Sequence, residues 1–117
     1  MLPLFFGRRK KPLRRLLFLG AHSDDIEIGC GGTVLRLLAE LKRPEIYWVV
    51  FGAQATRAQE AIESAQVLLG EHTKKTIVAK AFRDGYFPYI GAEIKDTFEE
   101  LKRVFKPDVI FTHYRHD

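Results

Sequence analysis

LLFLGAHSDDIEIGCGGTVLRLLAEL, Leu16 to Leu41, is the stretch that decides the fold. Its first five residues form a short continuous apolar run closed by glycine, the pattern of a strand buried on both faces of a parallel sheet. A polar turn follows. From Thr33 to Lys42, Val34, Leu37, Leu38 and Leu41 fall at helical spacing, and Pro44 stops the helix just beyond. The same alternation continues down the chain. IYWVVF, Ile46 to Phe51, reads as a second strand, with Trp48 in the core. Ala58, Ala61, Ile62, Ala65, Leu68 and Leu69 form a second helical stripe ended by Gly70. TIVAKAF, Thr76 to Phe82, reads as a third strand and DGYFPYIG as a loop. Ile94, Phe98, Leu101 and Phe105 mark a third helix ended by Pro107, and VIFTH, Val109 to His113, a fourth strand. This order predicts an α/β, Rossmann-like, three-layer, doubly wound and mostly parallel sheet with strand order 3-2-1-4. In such a sheet, ligands bind outside the carboxyl ends of strands one and four.

A chain of 117 residues buries one core and not two. With 46% hydrophobic and 29% charged residues it is neither disordered nor fibrous. No run approaches the roughly 18 apolar residues a membrane span requires. MLPLFF at the start is too short for a signal-peptide apolar region, and its charges follow the apolar stretch when they should precede it. The net charge of +4 is local, because Arg8, Arg9, Lys10, Lys11, Arg14 and Arg15 supply six of the 19 basic residues. Residues 1–15 therefore read as a basic arm and residues 16–117 as the domain, whose body is mildly acidic. A solvated arm is the reading preferred over one that grips nucleic acid or an anionic membrane, since no recognition helix or stacking aromatics accompany the charges. The single cysteine excludes an internal disulfide framework and a cysteine-based zinc site; it fits a reducing compartment, and a cytoplasmic location is expected. Any metal must use histidine and carboxylates.

Both carboxyl ends at the expected switch point carry histidine and aspartate. AHSDDIEIGCGGT follows the first strand, and THYRHD follows the fourth. An imidazole and a carboxylate from one loop, completed by a ligand from a neighbouring element, make the open site that hydrolytic zinc enzymes keep. The competing reading of the aspartate pair is a helix N-cap or a clasp on the glycine-rich turn. Two adjacent carboxylates beside His22 weigh toward a cation. GCGG lacks the last glycine of a dinucleotide fingerprint, where Val34 stands, and no Walker lysine follows it, so tight turning at a helix start is the expected role. Cys30 reads as a buried small side chain, His113 as a hydrogen-bonded histidine beside the first loop, and His72 as a solvated loop residue.

AHSDD followed by GCGGT resembles the signature of the LmbE-like, or PIG-L, family of N-acetylglucosaminyl de-N-acetylases, usually AHPDDE followed by a glycine-rich turn and helix. Arg57, Glu60 and the LLG at Leu68 to Gly70 resemble the family's R-x-x-E helix ending in LG. FRDG, Phe82 to Gly85, is similar to its D-G loop, and PDVIFTH to its PDVVFTH strand. The resemblance runs from Leu16 to Asp117; Ser23 replaces the usual proline and Ile26 the usual residue after DD. It implies a divalent metal, usually zinc, held by His22 and Asp25, with Asp24 as general base and Arg57 and Asp84 facing the amino sugar of a small molecule or glycoconjugate. Asp117 would open the D-x-H-x-D-H motif whose last histidine is the family's third metal ligand, and family domains are nearly twice this long. The expectation is thus the N-terminal part of a zinc-dependent N-deacetylase, inactive or weak by itself. His113 and His116 are the candidates for the third ligand, and apolar surface on the last strand favours a homo-oligomer. The alternatives are a non-catalytic nucleotide-binding or regulatory module on the same fold and a nucleic-acid binder acting through the arm.

Overall fold

The computed structural model describes residues 11–71 and 74–116. Within them lie β1 (Arg15–Gly20), α1 (Asp25–Glu40), β2 (Glu45–Val50), α2 (Thr56–Leu69), β3 (Lys74–Ala79), a 3₁₀ turn at Phe87–Tyr89, α3 (Gly91–Val104) and β4 (Val109–Phe111). The four strands form one parallel sheet in the order β3-β2-β1-β4, which is the expected doubly wound order. His72, Arg8 to Lys10 and Asp117 lie outside the described residues.

Alternation along the central strands builds the three layers. Leu16 and Phe18 of β1 and Ile46, Trp48 and Val50 of β2 point to one face, where Ile26, Val34 and Leu37 of α1 and Ala65 and Leu69 of α2 cover them. Leu17 and Leu19, with Val49 of β2 and Phe51 just beyond it, point to the other, under Leu101 and Phe105. Because both faces are buried, the strands read as continuous apolar runs. Trp48 is fully enclosed, with the Phe18 ring 5.6 Å from its own. Gly70 ends α2 at φ 67, a left-handed backbone that glycine adopts without the Cβ penalty.

The largest departure from the sequence reading is the start of α1. The helix opens at Asp25, eight residues before the expected Thr33, and absorbs the whole IEIGCGG segment. Cys30, at φ −145 and ψ 18, interrupts the helical geometry, so α1 is two helical pieces joined at a kink. The GCGG glycines consequently form no turn ahead of the helix, and no phosphate-cradling loop stands there. β4 is also shorter than expected, ending at Phe111, which leaves Thr112 and His113 beyond the ladder.

Candidate active site

The carboxyl ends of β1 and β4 lie side by side, and the residues following them meet. His22 leaves β1 one residue after Ala21, and its backbone N–H donates to Asp25 Oδ2 at 2.7 Å, closing the turn that feeds α1. The same oxygen lies 3.6 Å from His22 Nδ1 and 3.1 Å from His113 Nε2. His113 in turn accepts the Ala21 N–H on Nε2 at 3.0 Å. Asp25 Oδ2 is thus the point where the two strand ends converge.

The two aspartates are engaged differently by the turn. Asp25 clasps the turn. Asp24 occupies the N-cap of α1 but makes no side-chain capping bond, and it is exposed. A carboxylate at a helix N-terminus that does no capping is left available for chemistry.

The third element is the loop after β3. Asp84 Oδ1 takes His22 Nε2 at 2.8 Å and also accepts the Gly85 N–H at 2.7 Å. These bonds, the one from His22 foremost, hold the Asp84 carboxyl below the ordinary carboxylate range, with the charge of Arg57 adding a smaller contribution in the same direction. Arg57 itself is exposed in the first turn of α2. Phe87 lies parallel to the His22 ring, with centroids 5.9 Å apart and planes 5° apart. Gly52, just after β2, makes this packing possible. A Cβ there would come within 2.9 Å of the Ala21 carbonyl oxygen, 3.2 Å of Phe87 Cζ and 3.5 Å of His22 Cδ2.

The cluster opens on two cavities. One of about 360 Å³ runs between the start of α1 and β4, with Asp25, Ile28, Cys30 and His113 in its wall. The other, about 160 Å³ and mostly apolar, is lined by Phe51, Phe87, Ile94, Phe98 and His113 on the α3 side. A larger concavity of about 800 Å³ lies at the amino ends of the strands, among Arg14, Arg15, Arg43 and Lys74, and contains none of the His–Asp cluster.

An imidazole and a carboxylate side by side are the nitrogen and oxygen donors a zinc-like divalent cation takes. With the Nε2 proton given to Asp84, the lone pair of Nδ1 faces an anionic oxygen of Asp25, an arrangement that a shared cation satisfies. The pair therefore fits a metal in kind and placement. In number it falls short: among the described residues no group of three or more His, Cys, Asp or Glu is placed to hold a metal ion. Of the two candidates for a further ligand, only His113 is drawn to the cluster. His116 engages Arg115 and Tyr114 in the segment after β4.

Two features escaped the sequence. The His22–Asp84 bond joins residues 62 positions apart, beyond the reach of spacing arguments. Glu27, between two isoleucines in α1, has both carboxylate oxygens buried without a hydrogen-bond partner among the described residues. Burial, with the Glu27 charge adding to it, pushes the Cys30 thiol above its ordinary range. A charged residue inside the motif's apolar stretch was the available signal for Glu27.

Residues 17–117 match the PIG-L family, described as GlcNAc-PI de-N-acetylase. Among solved structures the chain is similar to an N,N'-diacetylchitobiose deacetylase from Pyrococcus horikoshii complexed with its inhibitor MPG, at 26% identity and a TM-score of 0.64. The match covers 86% of this chain and 40% of that one.

Proposed function

Since the chain belongs to the PIG-L, or GlcNAc-PI de-N-acetylase, family, we propose that it serves metal-dependent removal of the N-acetyl group from an N-acetylglucosamine-type small molecule or glycoconjugate. The observation that carries this reading is the division of labour at the end of β1: Asp25 gathered against His22 and His113, and Asp24 exposed beside it without a capping bond. His22 and Asp25 would hold the metal. The bound cation, zinc or another divalent ion, would supply Lewis acidity at the acetamide carbonyl and lower the pKa of its water. Asp24 then accepts the proton of the attacking water and returns it to the departing amine, a role that needs a carboxylate free of structural bonds. Arg57 and Asp84 bind the hydroxyls of the sugar, since a guanidinium beside a carboxylate offers both donors and an acceptor. A cytoplasmic setting belongs to the same proposal; among the described residues no helix is long and apolar enough to cross a membrane.

Metal titration by calorimetry and amine release from N-acetylglucosamine derivatives test the assignment together. With two donors in place where such a site takes three, this chain is expected to bind zinc weakly and to turn over slowly. Asp24→Asn should leave metal binding nearly unchanged and lower any zinc-dependent amine release by about 10²- to 10⁴-fold. His22→Ala should lose the metal itself. Equal metal loss in both variants would sink the division of roles between Asp24 and Asp25.

A further inference from the structure

Asp84 does more than wait for a sugar hydroxyl. Its Oδ1 sits 2.8 Å from His22 Nε2 and is itself pinned by the Gly85 N–H at 2.7 Å. An ionised carboxylate has only acceptors, so this contact requires the proton to reside on Nε2. In a neutral imidazole the other nitrogen then carries the lone pair. That nitrogen, Nδ1, faces Asp25 Oδ2 at 3.6 Å. Phe87 lies parallel to the ring, with centroids 5.9 Å apart, and packs on one of its faces.

We propose that Asp84 is a positioning residue that fixes the His22 tautomer and ring orientation, so that Nδ1 is the nitrogen presented toward Asp25. The purpose of this arrangement rests on the metal reading above: an imidazole whose far N–H is held by a carboxylate is a stronger and better-aimed ligand. The arrangement itself does not depend on a metal. Asp84 Oδ2 makes no hydrogen bond among the described residues, which leaves one oxygen for substrate while the other holds His22. A sugar hydroxyl on Oδ2 and the imidazole on Oδ1 would then share one rigid carboxylate, and substrate binding would tighten the aim of the ligand.

Long-range ¹H–¹⁵N correlation spectra of the metal-free chain, recorded at about pH 8, above the ordinary imidazole range, read the tautomer directly. The expected result is a His22 pattern with a protonated Nε2 and an unprotonated Nδ1. Asp84→Ala should abolish that single pattern and give averaged nitrogen shifts. Arg57→Ala, which removes a neighbouring charge but no bond to the ring, should leave the pattern intact. A wild-type His22 protonated on Nδ1, or a pattern unchanged in Asp84→Ala, overturns the proposal. The wild-type spectrum decides even where the alanine variant fails to fold. Because no deacetylation is measured, failure here is separate from failure of the functional reading.

Discussion

β1 and β4 run side by side with three residue pairs in register, yet they are held by different means. β1 is paired along both edges and enclosed on both faces; Leu16 and Phe18 are fully buried. Among the described residues β4 is three residues long and paired on one edge, and Ile110 at its centre is 53% exposed. What β4 lacks in ladder it gains in ties at its ends. Asp108 Oδ2 accepts the N–H groups of Arg14 and Arg15, both at 2.9 Å, at one end, and His113 takes the Ala21 N–H at the other. The His–Asp cluster therefore sits between a strand fixed by burial and a strand fixed by side-chain bonds.

Stability separates the two strands most. Phe18→Ala removes a fully buried ring that stacks on Phe111 at 4.7 Å; the expected loss is about 3–5 kcal/mol, read as a lower urea midpoint. Asp108→Ala should cost about 1–3 kcal/mol, because two backbone donors lose their acceptor at once. Its more telling readout is hydrogen exchange, which should accelerate at β4 and leave the amides of β2 protected. Ile110→Ala, at a half-exposed position, should cost under about 1 kcal/mol. If Ile110→Ala cost as much as Phe18→Ala, β4 would be as enclosed as β1 and the contrast would fail.

The smallest effect concerns Cys30 at the kink of α1. Burial and the Glu27 charge raise its thiol pKa, so at any pH from about 7 to 9 less of it is thiolate than in an unfolded chain. Alkylation by iodoacetamide should be slower than for the urea-unfolded protein at the same pH, and Glu27→Gln should speed it modestly. A folded-state rate matching the unfolded one would show the thiol to be open at the end of the 360 Å³ cleft.

Strand order and helix faces were legible because period and burial coincide in β1, β2, α2 and α3. Leu16 to Gly20 could be little else, and Gly70 marked its helix end without ambiguity. The start of α1 was not legible, since three glycines in IEIGCGG carry low helix propensity and look like a turn. Tertiary contact overrides that preference: Ile26, Cys30, Val34 and Leu37 continue one stripe at spacings of four, four and three, and Ile26, Val34 and Leu37 are buried. Counting the stripe backwards from Val34 would have found it. At the site, His22, Asp24 and Asp25 were visible as a local cluster, and His113 was placed beside the first loop by topology. Asp84 was read as a sugar contact, while its bond to His22 depends on where the loop after β3 folds back, which no local pattern encodes.

Gly52 carries a consequence for how such sites are recognised across diverging sequences. One carboxylate or imidazole can be exchanged for another donor, and chemistry survives in altered form. The gap at Gly52 has no such substitute: a single methyl there meets the Ala21 carbonyl at 2.9 Å and the Phe87 ring at 3.2 Å, and both lie against the residues that orient His22. A wedge of one carbon would displace the packing around His22 without altering any acidic or imidazole side chain. Glycine at this position is therefore a steric condition on the cluster, separate from the acidic and imidazole side chains: a chain that keeps His22, Asp24 and Asp25 but carries a larger residue at 52 has to move Ala21 or Phe87 to accommodate it.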